Sequence, residues 1–263
     1  MKILFFCPRW GQENASWGVF LEKVKQSGYD GVEASLPLAE EEKEEMFNGL
    51  AKHGLQFIGQ HWETVAPDFE EHKRAYRQRL ESLAIVKPLF INSQTGKDYY
   101  SFQQNAELFR IADGIAKETG IPVFHETHRG KFSFAAHVTR HYLEQLPVLE
   151  LTLDISHWCA VAETLLHDQS HAIEIAVTRT RHLHARIGHP QGAQITDPRA
   201  PEWNEALQFH LSCWDKVIDY QAKAGSERFT ITCEFGPFPY MTQLPFTRQP
   251  LTDQWEINLY MKD

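Results

Sequence analysis

Four side chains near the ends of short apolar runs are of types that could share a divalent cation. They are Glu126 in IPVFHETHRG, Asp154 in LELTLDISHW, His184 in RHLHARIGH and Glu234 in FTITCEFGP. Side chains on a strand alternate between its two faces. Leu151, Leu153 and Ile155 therefore point one way while Thr152 and Asp154 point the other. The same alternation opposes Leu183, Ala185 and Ile187 to His182, His184 and Arg186, and Ile231, Cys233 and Phe235 to Thr230, Thr232 and Glu234. Three converging carboxylates would raise one another's proton affinity unless a cation lay between them. A set of three oxygen ligands and one imidazole suits Mn²⁺ first, with Mg²⁺, Co²⁺ or Zn²⁺ as further candidates. No cysteine shares the inward parity, which argues against a thiolate-rich zinc site. A lone acidic residue at a strand end is more often a helix N-cap or an ion-pair partner. Four such residues on consecutive strands with one parity favour a shared site.

The elements that must carry them follow from hydrophobic period and punctuation. Strands are expected at Ile3–Cys7, Gly31–Ser35, Gln56–His61, Leu89–Ser93, Pro122–Thr127, Glu150–Ile155, His182–Ile187 and Phe229–Phe235. Helices are expected at Ser16–Ser27, Glu40–His53, Phe69–Val86, Phe102–Thr119, Phe134–Gln145, His171–Thr180 and Ala206–Ala224. Glycines in QSGYDG, KHGLQF and ETGIPV mark turns from helix to strand. Eight such units within 263 residues predict an α/β fold, one (β/α)8 TIM-barrel domain spanning residues 1–263 with eight parallel strands. An open sheet would be expected to show a glycine-rich phosphate turn, and neither GxGxxG nor GxxxxGK[ST] occurs.

Composition narrows the partners. A formal net charge of −9 opposes the counterion release that drives nucleic-acid and anionic-membrane binding, so neither partner is expected. The four scattered cysteines read as reduced thiols, no run approaches a membrane span, and MKILFFCPRWG reads as a first strand rather than a signal segment. Together these features predict a cytoplasmic protein. Its 14 histidines and 12% aromatic residues are types common in pockets for metals and sugars.

Beyond these readings, GYDGVEASLP, INSQTG, HETHRG, LDISHW, HLHARIGHPQG and CEFGP resemble motifs of the xylose isomerase-like TIM-barrel superfamily. That group holds sugar isomerases, ketose epimerases, hydroxypyruvate isomerases, inosose dehydratases and the endonuclease IV branch. The resemblance spans almost the whole chain and implies a metal set of Glu126, Asp154, His184 and Glu234. Glu126 and Glu234 would double as the catalytic acid/base pair, and His157 would contact substrate or, in the endonuclease branch, a further zinc. The implied activity is isomerisation or epimerisation of a sugar or keto-acid, by glutamate-mediated proton transfer through a metal-stabilised enediolate. A metal-dependent dehydratase of a polyol ketone is the alternative. A phosphodiesterase on damaged DNA is disfavoured by the charge and by the missing D-x-H pair after HLHAR. A non-catalytic sugar-binding barrel is disfavoured because both glutamates are present.

Around this set, Glu33 could bind a substrate hydroxyl or orient a ligand. His61, Glu63, Asn92, Gln94 and His128 could contact substrate, and Arg186 could hold an anionic group. Trp10, Trp62 and Trp158 could stack on a sugar or pack in the core. His189 and Gln191 are weaker candidates in the loop Gly188–Trp203, which is expected to cover the substrate. Helix histidines His53, His72, His137, His171 and His210 are expected at the surface. The C-terminal DQWEINLYMKD is short for an eighth helix, so a homodimer could cover that edge.

Overall fold

In the computed structural model, which describes residues 1–263, the eight strands close into a parallel barrel in sequence order. The strands are β1 (Lys2–Pro8), β2 (Gly31–Ala34), β3 (Gln56–His61), β4 (Ile91–Ser93), β5 (Val123–Glu126), β6 (Leu151–Leu153), β7 (Thr180–His184) and β8 (Arg228–Thr232). Closure comes from β1 pairing with β8 along Lys2–Phe6. The helices are α1 (Trp17–Gln26), α2 (Glu40–His53), α3 (Phe69–Ile85), α4 (Phe102–Thr119), α5 (Ala136–Gln145), α6 (Ile155–Ala162), α7 (Ser170–Arg179), α8 (Asn204–Lys223) and α9 (Gln254–Lys262).

Local chemistry explains several boundaries. Ser101 and Gln104 form a reciprocal capping box at the start of α4, and Gly54 and Gly120 take left-handed conformations that end α2 and α4. Helix α6 was absent from the sequence-based expectation. It starts directly after the short β6, with Asp154 as its N-cap accepting from the Ser156 amide at 3.0 Å. Strands β7 and β8 end earlier than expected, at His184 and Thr232.

Apolar packing forms two shells outside the barrel. One gathers Leu151, Leu153, Leu183, Ile187 and Ile231 with α5 to α8, and the other gathers Val32, Phe57 and Ile91 with α1 to α4. A separate cluster of Leu4, Phe6, Ile58, Phe90 and Phe124 plugs the barrel interior below the polar layers. Two helix histidines depart from expectation: His72 and His210 are fully buried. His210 sits in the outer shell, accepting from the Gly188 amide at 3.2 Å while its other nitrogen reaches the Ala206 carbonyl at 2.8 Å. All four cysteines are free and buried. No helix is long and apolar enough to cross a membrane.

Candidate active site

Above the apolar plug lies a fully buried polar layer centred on Glu33. Its carboxylate accepts from Asn92 Nδ2 at 2.7 Å, Thr232 Oγ1 at 2.6 Å, His182 Nε2 at 3.2 Å and His184 Nε2 at 3.1 Å. Burial alone would raise the Glu33 pKa, but the two histidines outweigh it and hold the carboxyl well below its usual range. Glu33 is therefore an ionised anion beneath the cavity. It lines no part of the cavity and instead bonds His184 from below.

One layer higher, Glu126, Asp154, His184 and Glu234 bring one ligand atom each to within 4.8 Å of one another, all buried. Because Nε2 of His184 is committed to Glu33, Nδ1 faces the cluster. It stands 2.8 Å from Glu234 Oε2 and 3.8 Å from Glu126 Oε1. The two atoms form a close ion pair, yet neither finds an aligned hydrogen-bond partner although both are enclosed. Buried polar atoms are rarely orphaned. Four ligand-type atoms gathered this closely, two of them without an aligned hydrogen bond, suit a common ion that would displace the His184 proton, so these residues fit a divalent cation. Burial and the neighbouring carboxylates push Glu126 up to about 8, although His184 opposes them. Burial also raises Asp154, with Arg186 opposing. Burial would lower the His184 pKa, but Glu234, Glu33 and Glu126 together lift it well above its ordinary value.

Amide side chains support the two glutamates. Gln60 Nε2 lies 3.4 Å from Glu234 Oε1, Gln94 Nε2 lies 3.4 Å from Glu126 Oε1, and Asn92 Nδ2 lies 3.1 Å from Glu126 Oε2. Arg186 is fully buried and contacts Asp154 Oδ2, Ser156 Oγ at 3.2 Å and His157 Nε2 at 2.7 Å. Asp154 thus caps a helix through Oδ1 and also belongs to the cluster. His157, accepting from Arg186, is enclosed behind the cavity wall rather than lining it; burial keeps it neutral. His128 does line the cavity, its ring 4.0 Å from that of His157, and burial and Arg186 lower its pKa to about 3.

The cavity measures about 640 Å³ and opens between the ends of β1, β2 and β3 and the glutamate cluster. Trp10, Trp62, Gln94 and Arg186 line it, together with Glu63. His61 does not. It packs on Tyr76 of α3 and bonds Ser93 and Thr64, because Ile58 and Gln60 take the inward face of β3. Trp158 is core, its indole donating to the Ser133 carbonyl at 2.8 Å. The loop Gly188–Trp203 contributes nothing to the lining, His189 and Gln191 included; Gln194 instead anchors it to Gly236. Of the lining residues that sequence reasoning missed, Gln60 and Tyr240 lie against the cluster or its arginine. Gln60 was legible in principle as the neighbour of Asn92 in register, whereas Tyr240, on the loop after β8, carried no periodic signal. Tyr240 stands edge-on to Trp10 at 5.1 Å, with the Arg186 guanidinium 4.6 Å from its ring centroid.

Residues 21–202 match the sequence family described as xylose isomerase-like TIM barrel. The chain belongs to that family. Among solved structures it is similar to 3-keto-D-glucoside 4-epimerase from E. coli, at 13% identity over 99% of this chain and 98% of that one, TM-score 0.65. It is also similar to the probable 3-DHS dehydratase AsbF of Bacillus anthracis, at 19% identity over 100% and 98%, TM-score 0.59. Endonuclease IV from Thermus thermophilus is similar at 13% identity over 90% and 94%, TM-score 0.58. At these identities the likeness shows the fold. A search of curated protein sequences finds no match.

Proposed function

We propose that this xylose isomerase-like barrel is a divalent-metal-dependent isomerase or epimerase of a sugar or keto-acid. The observation that carries the reading is the buried four-residue cluster, in which His184 Nδ1 and Glu234 Oε2 lie 2.8 Å apart without an aligned hydrogen bond. Glu126, Asp154, His184 and Glu234 would hold the ion, Mn²⁺ first among the candidates. Bound there, it would act as a Lewis acid toward a carbonyl and an adjacent hydroxyl, acidifying the C–H between them.

The chain's own groups then move the proton. One of Glu126 and Glu234, ionised, accepts it from carbon, and the other, protonated, supplies a proton in its place. Gln60 and Gln94 each touch one oxygen of a glutamate, fixing the carboxylate plane. Arg186, 3.6 Å from Glu234 Oε2, balances negative charge as it develops. His128 is neutral and its Nδ1 contacts the Arg129 carbonyl at 2.6 Å, so Nε2 is free to accept from a substrate hydroxyl. Protonation of the neighbouring carbon, with the hydroxyl proton passing to the former carbonyl oxygen, is isomerisation, and protonation of the original carbon from the opposite face is epimerisation.

The reading is tested by incubating Mn²⁺-loaded protein with a panel of ketoses, keto-glycosides and hydroxypyruvate in deuterated water. Exchange of the proton beside the carbonyl is expected for at least one compound and is abolished by Glu234→Gln and by EDTA. Exchange undiminished in Glu234→Gln, or none across the panel, would sink the proposal. A dehydratase shares the first proton removal, and a product lighter by one water would identify it.

A further inference from the structure

The segment after β8 leaves the barrel as a hairpin arm. Across residues 242–251 the Leu251 amide donates to the Thr242 carbonyl at 3.0 Å and the Leu244 amide to the Gln249 carbonyl at 2.8 Å, with an antiparallel bridge between Gln243 and Pro250. The root of the arm is fixed. Met241 is buried, and Thr252 Oγ1 donates to the Thr196 carbonyl at 2.9 Å. The arm's apolar side chains are not covered: Leu244 and Leu251 are exposed, and Phe246 at the tip is wholly so. Phe246 also has a left-handed backbone, φ 67°, which bulky residues resist and which glycine, asparagine or aspartate adopt at less cost. Within a single copy this phenylalanine carries that cost and buries nothing to offset it.

A matching surface lies on the other side of the cavity. The cavity runs from Tyr240, at the root of the arm, to Leu38 and Trp62 on the segments after β2 and β3. Leu38 is 86% exposed, and Trp62 and Val65 are exposed as well. Charge follows the same pattern on the two surfaces with opposite sign. Arg248 lies two residues beyond Phe246, and Glu40 and Glu41 open α2 just beyond Leu38; Arg248 and Glu41 are both exposed and neither has an ion-pair partner within the chain. Exposed apolar patches rimmed by polar residues mark contact surfaces, and aromatic side chains are the usual anchors of such contacts. An arm on one side of a mouth and an apolar, acidic rim on the other are the two halves of a contact that a two-fold axis makes twice. The rim acids and the net charge of −9 repel an anionic lipid surface.

From this arrangement we infer that two copies of the chain pair mouth to mouth, each arm crossing to the other's rim, with Phe246 against Leu38 and Trp62 and Arg248 beside Glu41. Phe246 of the partner subunit thereby joins the cavity wall next to Trp62, and the mouth is complete only in the pair. The inference does not depend on which reaction the glutamate cluster performs. It is tested on the full chain by sedimentation velocity over a range of micromolar concentrations and by cross-linking. The wild type is expected to sediment at twice the 30.5 kDa of one chain. Phe246→Asp, which suits the left-handed backbone and leaves the circular dichroism spectrum unchanged, is expected to weaken pairing at least tenfold. Leu38→Cys and Phe246→Cys proteins, mixed and treated with a short bismaleimide, are expected to give a covalent pair joining the two variants; the four native thiols are buried and are spared. The inference is overturned if the wild type stays monomeric throughout, if Phe246→Asp pairs as tightly as the wild type, or if the mixture yields no covalent pair. A cross-link formed only within one doubly substituted chain would overturn it too, because the arm would then close over its own mouth.

Discussion

Replacing Glu33 with Gln isolates the buried anion that orients His184. In the native layer every neighbour of Glu33 donates to it, and both carboxylate oxygens lie 3.1 Å from His184 Nε2. The isosteric amide keeps one acceptor oxygen but turns an NH₂ group toward groups that are themselves donors. His184 then loses a charge-assisted hydrogen bond, worth about 1.5–3 kcal/mol, and the constraint that leaves Nδ1 facing Glu234. Loss of an outer partner of a ligating histidine typically lowers metal affinity about 10–100-fold, which agrees with the same 1.5–3 kcal/mol at ~1.4 kcal/mol per decade. Calorimetric titration of metal-stripped wild type and Glu33→Gln with Mn²⁺ reads this directly. Affinity within twofold of wild type would refute the view that Glu33 positions a metal-ligating His184. Should the variant fail to fold, ¹⁵N NMR of His184 in the wild type keeps the question open to refutation, since the geometry requires a proton on Nε2 in metal-free and loaded protein alike.

Three further outcomes follow from the same contacts. Mn²⁺ at 100-fold over its dissociation constant adds about 2.7 kcal/mol to stability, which for a chain of this length raises Tm by roughly 5–10 °C; differential scanning calorimetry showing no shift would remove the cation from the site. On strand β3, Gln60→Ala is expected to lower kcat about tenfold with the fold retained, while His61→Ala costs about 2–4 kcal/mol of stability and leaves kcat unchanged; the reverse pattern would mean that the inward face of β3 is misassigned. Burial pulls His210 from 6.5 to about 4, so between these values the unfolded chain binds the extra proton. Its contribution of about 3 kcal/mol is present above pH 6.5 and lost as pH falls toward 4. Urea melts across that range should be flatter for His210→Gln than for wild type, and parallel curves would contradict the assignment.

Legibility in the sequence varied with how one-sided each strand is. On β6 to β8 the alternation of Leu151, Leu153, Leu183 and Ile231 with polar residues named the inward face, because the outward face packs against helices and the inward one carries the polar layers. Strand β3, QFIGQH, is buried on both sides, Phe57 in the outer shell and Ile58 in the plug. Such a strand has no polar face to read, so His61 was chosen and Gln60 passed over. Helix histidines misled for a related reason. A polar residue on an otherwise mixed helix looks solvated, and only packing showed that His210 meets the Gly188 amide.

By itself the sequence determined the eight βα units, the family resemblance and the four acidic and imidazole side chains at strand ends, because all of these are encoded in local period and residue type. Tertiary structure alone decided that Glu33 and His184, 151 residues apart, share a hydrogen bond, and that Asp154 caps a helix while facing the cluster. It also decided that the cavity opens toward β1 to β3 rather than beneath the Gly188–Trp203 loop. Those outcomes depend on barrel closure and strand register, which bring distant side chains to hydrogen-bonding distance and which local pattern does not encode.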